Sequence, residues 1–138
     1  MRGELADRLE RLGVADRARL LGYLSYSDGL AELFRSSHVL LHVSWTEGLP
    51  QILFEAFAAR LPVVATAVGG IPSAVGTAVS LIDPGSRDQA VAAVTEIAGQ
   101  PEARARLIKA GVQLVTTHTL DAEILRLAAF LSSAERLA

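Results

Sequence analysis

Leu5, Leu9 and Leu12 fall at helical spacing with charges between them, and Glu4 stands four residues before Arg8, so residues 4–13 are predicted as an amphipathic helix ending near Gly13. Arg19 to Leu24 reads as a short strand. Ser27 or Asp28 can cap a second helix carrying Leu30, Leu33 and Phe34 on one face, which stops at the Ser36-Ser37 pair. The run HVLLHV, residues 38–43, is apolar without clean alternation, the pattern of a strand buried on both faces of a parallel sheet. Pro50 suits the first turn of a helix that continues through Ile52, Leu53, Ala56 and Phe57 to about Leu61, where Pro62 ends it. Val63-Val64-Ala65 follows as another buried strand, and residues 78–82 as a third short apolar run. Asp83-Pro84-Gly85 is a turn, with Ser86 placed to cap a helix over 87–98. Pro101 opens a helix through Leu107, Gly111 and Leu114, and a last helix runs from Asp121 through Ile124, Leu127, Ala128 and Leu131 to the C-terminus. Strands alternating with helices predict right-handed crossovers and an α/β, Rossmann-like parallel sheet flanked by helices.

Composition narrows the functions such a sheet can serve. The 138 residues are 51% apolar and 20% charged, which fits one compact domain, 1–138, with an ordinary core. Thirteen Lys and Arg against fifteen Asp and Glu give a net charge of −2, so no basic field is present to hold a nucleic acid or an anionic membrane. The absence of Cys removes disulfides, Cys-ligated zinc and thiol chemistry. No signal peptide or run of the roughly 20 apolar residues that span a bilayer is visible, so a cytoplasmic protein is expected.

Ligands of open parallel sheets collect beyond the carboxyl ends of the strands, which directs attention to two loops. Ser44-Trp45-Thr46-Glu47-Gly48-Leu49 leads into the helix starting near Pro50, whose free N–H groups and dipole favour an anion such as a diphosphate. Thr66-Ala67-Val68-Gly69-Gly70 lacks bulk, so a ligand or another loop can approach its backbone closely. Glu47 in the loop and Glu55 in the helix are placed to bracket a ligand and accept from sugar hydroxyls. Spacing alone leaves open that Glu47 only complements the helix dipole and that Glu55 is a solvated helix residue. Glu55, however, sits between Phe54 and Ala56-Phe57 in a helix apolar nearly all round, where a carboxylate needs a partner. His38 and His42, roughly 13 Å apart on a strand, are too distant to share a metal and read as core or sheet-edge histidines. His118 is explained by a helix dipole, and Trp45 either stacks on a base or covers the sheet edge. The glycine loop is neither GxGxxG nor a P-loop, which sets dehydrogenases and NTPases aside.

The block EGLPQILFEAFAARLPVVATAVGGIP resembles the donor-binding signature of the family 4 retaining glycosyltransferases of GT-B fold, and weaker resemblance runs from about Glu4 to Leu131. It implies the C-terminal, donor-binding half of that fold with its first strands missing. By resemblance Glu47, the catalytic candidate, and the N–H groups of Gly48 and Leu49 serve the donor sugar, and Glu55 accepts from the ribose hydroxyls. Leu49, Pro50 and Gln51 would lie by the diphosphate, Gly69-Gly70 would wall the pocket, and Ser44 would stabilise the loop. The implied substrate is a UDP-, GDP- or ADP-sugar; the implied reaction is retaining transfer to an acceptor hydroxyl, without metal or other cofactor.

The departures from that pattern bear on activity. The N-terminal acceptor-binding half of such enzymes is missing, as are the Arg and Lys that neutralise the leaving diphosphate, so the chain is expected to be inactive alone. Arg2, Arg8 and Arg11 read as a solvated helix face. Arg60 replaces a usual glycine and Ser73 a usual acidic residue. A sheet without its first strands presents an open edge, and self-association or pairing with a complementary chain is expected there. The competing reading is a non-catalytic fragment or degenerate homologue acting only as a structural module; a nucleotide-sugar epimerase fits the Glu47 to Glu55 block less well.

Overall fold

The computed structural model describes residues 2–134, so the predicted end of the last helix lies partly outside the described residues. The chain forms two compact units, Met1–Ala31 and Glu32–Ala138. In the first, helix α1 (Arg2–Arg11) forms where a helix was predicted, with Arg8 and Arg11 exposed, but Leu5 and Leu12 of the expected apolar face are exposed as well; a single 3-10 turn, Ala15–Arg17, follows it. The predicted strand at 19–24 does not form: residues 18–25 carry no strand, and Gly22 at φ 72° interrupts the extended run with a left-handed conformation. The cap chemistry predicted at Ser27 and Asp28 is spent on a turn. Asp28 takes a hydrogen bond from Ser25 Oγ at 2.5 Å, Gly29 turns to φ 101°, and the helix begins only afterwards, as α2 (Ala31–Ser36).

The second unit is built on a parallel sheet in the order β1 (Leu40–His42), β2 (Val63–Thr66), β3 (Val79–Ile82). Leu40 pairs with Val63 and His42 with Ala65; Val63 pairs with Val79 and Thr66 with Ile82. All four residues of β2 are buried, as a central strand requires. β1 corrects the prediction of a strand covered on both faces, since Leu41 is exposed and its flanking residues only half-buried. Its one neighbour among the described residues is β2, which leaves the other edge of the ladder unpaired there. Val64 packs with Ile82, Ala93, Ile97 and Leu107, and so joins the sheet to helices α5 (Arg87–Gly99) and α6 (Pro101–Thr117). Helix α3 (Gln51–Ala58) buries Leu53, Ala56 and Phe57 and packs on β2 and α6. A Cβ at Gly111 would come within 2.6 Å of the Phe57 ring, so α6 approaches α3 as closely as its missing side chain allows. Helix α7 (Leu120–Ala134) follows, and Ser86 caps α5 by accepting from the Gln89 N–H, both as predicted. A short helix the sequence did not suggest, α4 (Ile71–Val75), carries β2 over to β3.

The end of α3 sets the entry into β2. Leu61 N–H donates to Ala56 C=O at 2.9 Å and Arg60 N–H to Phe57 C=O at 3.0 Å, the paired bonds of a Schellman stop. Its left-handed position is Arg60, the single non-glycine residue at positive φ among the described residues, at 60°. The departure noted in the sequence is therefore a strained helix stop. Arg60→Gly is expected to stabilise the chain by about 1 kcal/mol, read as a higher urea midpoint at unchanged m-value; a lower midpoint contradicts this reading of the helix end.

Candidate functional site

Two loops leave the carboxyl ends of β1 and β2, and the backbone itself joins them. Gly70 N–H donates to Gly48 C=O at 2.9 Å. A Cβ at Gly69, whose φ is 55°, would fall 1.7 Å from the Glu47 carbonyl oxygen, and one at Gly70 would fall 2.8 Å from that of Gly48. The glycine pair thus serves the approach of loop to loop, one of the two roles the sequence allowed for it. A second tie is Thr66, at the end of β2 and only 1% exposed. Its Oγ1 accepts from Ser44 N–H at 3.0 Å and donates to Ser44 C=O at 2.9 Å, replacing one more step of ladder.

Glu47 is fixed within this frame. Its Oε1 accepts from Ser44 Oγ at 2.7 Å and lies 3.1 Å from His42 Nε2, with side-chain exposures of 26% for Glu47 and 20% for His42. The Ser44 hydroxyl bond holds the carboxyl below its ordinary value, partial burial opposes this, and the bond and charge of His42 add to the lowering. Ser44 therefore holds the loop through the side chain of Glu47 as well as through its own backbone. His42, set aside in the sequence as a core or edge histidine, belongs to the site, and so does Thr66. The parity of β1 was the available signal, since residues 42 and 44 share one side of a strand.

Glu55 lies on α3, half-buried, and its carboxylate has no hydrogen-bond or ion-pair partner among the described residues. Gln51 stands one helical turn before it and begins the helix. Pro50 occupies the N-cap in an extended conformation rather than the first turn, and no side chain caps α3. Leu53 N–H donates to Pro50 C=O at 3.3 Å, which leaves the N–H groups of Gln51 and Ile52 without an acceptor among the described residues. Ser73 donates to Gly70 C=O at 3.1 Å and steadies the start of α4. Trp45, 75% exposed, leans its ring edge on Gly85 of the turn after β3, where a Cβ would come 2.7 Å from it. An open groove of about 1080 Å³ runs along α3, α4 and α6 past Gln51, Phe54 and Ser73, and neither Glu47 nor Glu55 lines it. Among the described residues no helix is long and apolar enough to cross a membrane.

These loops and helices sit on a fold shared with GT-B glycosyltransferases. Sucrose-phosphate synthase from Thermosynechococcus elongatus superimposes with a TM-score of 0.81 at 22% identity, over 99% of this chain and 35% of that one. Anabaena HepE in complex with UDP gives 0.79 at 25% identity, over 95% of this chain and 36% of that one. In sequence, the D-inositol 3-phosphate glycosyltransferase of Kribbella flavida is 36% identical over 110 residues, 78% of this chain and 26% of that protein. The enzyme of the same name from Mycolicibacterium vanbaalenii is 35% identical over 127 residues, 86% of this chain and 27% of its own length. The chain spans about a quarter of the length of these curated relatives. Residues 1–114 match the family of glycosyl transferases group 1, and the chain belongs to that family.

Two outcomes test the geometry. Gly69→Ala is expected to cost about 1–3 kcal/mol of stability by forcing the loops apart, whereas Gly48→Ala, with open space around its would-be Cβ, costs less; equal denaturation midpoints contradict the docking. Glu47 is expected to titrate below the ordinary carboxylate range by carboxyl-carbon NMR, and Ser44→Ala to bring it back up. Because its folded pKa is depressed, the ionised carboxylate contributes stability above the unfolded-state value and loses it as pH falls through the folded one. A Glu47 pKa that is normal in the parent protein contradicts the network.

Proposed function

We propose that this chain is the nucleotide-sugar-binding part of a retaining glycosyltransferase. Glu55 accepts from the two ribose hydroxyls of a UDP-, GDP- or ADP-sugar, and the uncapped start of α3, by Leu49, Pro50 and Gln51, receives the diphosphate. Glu47 and the Gly48-Leu49 backbone hold the sugar, and the Gly69-Gly70 loop closes the wall behind them. The sugar's anomeric carbon then leaves the diphosphate and bonds to an acceptor oxygen, whose proton is lost, with the configuration retained and the nucleoside diphosphate released. The acceptor belongs to a second, acceptor-binding half that works with this one, and transfer by these 138 residues alone is not expected.

The observation that carries this reading is the half-buried Glu55 carboxylate, without a partner among the described residues, one helical turn past a helix start with no side-chain cap. A carboxylate in such surroundings gains from a ligand that brings donors to it, and a ribose supplies two hydroxyls. Its family and the UDP named in the HepE structure support the same chemistry.

Isothermal titration with UDP, GDP and ADP tests it. One nucleotide is expected to bind, and Glu55→Ala, shown folded by circular dichroism, to weaken it by about 1.5–3 kcal/mol, the range for hydrogen bonds to a charged acceptor. Unchanged affinity in the folded variant removes Glu55 from the site. No binding of any nucleotide by the parent chain favours a purely structural module.

A further inference from the structure

The hydrogen bonds to Glu47 are unevenly distributed over its carboxylate. Ser44 Oγ and His42 Nε2 both converge on Oε1, at 2.7 and 3.1 Å, and lie 3.4 Å from each other. Oε2 has no partner among the described residues. The two donors stand on one side of the strand exit, and each is anchored by the sheet: His42 is the last residue of β1, in register with Ala65, while the backbone of Ser44 is clamped by the buried Thr66.

A carboxylate held by a single hydroxyl can swing about that one bond; a second donor from a different point of the backbone removes that freedom. We propose that His42 is a positioning residue for the donor sugar: its Nε2–H, with the Ser44 hydroxyl, locks Oε1 of Glu47, so that Oε2 is presented to a sugar hydroxyl in one fixed orientation. This inference rests on the donor-site reading above and deepens it at the sugar end. Since a carboxylate only accepts and Ser44 already donates to the same oxygen, the histidine acts as an N–H donor. The requirement is for that donor at the Nε2 position, and an apolar residue of similar size does not meet it.

The test compares His42→Gln, whose amide nitrogen reaches the place of Nε2, with His42→Leu, which fills the space without a donor. Each is titrated with whichever of UDP, GDP and ADP the parent chain binds, and with the glucose, N-acetylglucosamine and mannose esters of that nucleotide. For the ester that the parent binds best, His42→Leu is expected to lower the ratio of ester affinity to nucleotide affinity about tenfold, in line with loss of a charge-assisted hydrogen bond. His42→Gln is expected to keep most of that ratio. An unchanged ratio in His42→Leu overturns the proposal, as does an equal loss for ester and nucleotide, which marks a structural role only. If the parent binds a nucleotide but none of its esters, the sugar-end assignment fails while the Glu55 reading stands; if it binds no nucleotide, both fail. A check that needs no ligand is the carboxyl-carbon resonance of Glu47, expected to shift in His42→Leu and to stay near its parent position in His42→Gln. An unmoved resonance in a folded His42→Leu also overturns the proposal.

Discussion

The carbonyl oxygens of Glu47 and Gly48 lie where the side chains of residues 69 and 70 would otherwise stand, and the rest of the site depends on that contact. Backbone against backbone, closed by the Gly70 to Gly48 hydrogen bond, brings the loops from β1 and β2 to a separation that no pair of residues with a Cβ permits without displacement. The buried Thr66 extends the same junction by taking both the N–H and the C=O of Ser44. Polar backbone is thereby satisfied at a strand end where ladder pairing stops, and the entry to α3 is fixed from both sides.

From that junction the two glutamates acquire different characters. Glu47 rises from the joined loops and is held at one oxygen by Ser44 and His42, which keeps it ionised further into acid than an ordinary glutamate. Glu55 stands on the helix that the junction aims, half-buried and unsatisfied by the described residues. One carboxylate is thus placed by the protein; under the proposed reading the other is satisfied by the bound nucleotide. Under the same proposal the start of α3 between them, which has no side-chain cap among the described residues, takes the negative charge of the diphosphate.

Much of this was legible in the sequence because it depends on local chemistry. The PVVAT run gave a fully buried central strand, Ser86 capped its helix, and the glycine pair marked a close backbone approach. What was not legible depends on pairing and on single dihedral angles. Residues 19–24 have the composition of a strand, yet Gly22 turns left-handed in their middle; β1 has the composition of a two-faced core strand, yet one edge is unpaired among the described residues. His42 reads as a core or sheet-edge histidine because only the return of the loop brings Glu47 back to it, and Thr66 reads as the first residue of the glycine loop because its partner is 22 residues away. Arg60 shows the reverse: a departure visible in the sequence whose meaning, a left-handed helix stop, required the dihedral angle.

The match to the family of glycosyl transferases group 1, over residues 1–114, contains the block of residues that forms the junction, and the site geometry is built on that block. The claim beneath both is that the two loops are docked before any ligand arrives. Amide hydrogen exchange at Gly70, followed by NMR in the free chain, measures this directly. Protection of that amide well above the unfolded rate is the expected result, since its hydrogen is held by the Gly48 carbonyl; exchange at the unfolded rate means the loops stand apart and contradicts a site built in advance by their contact.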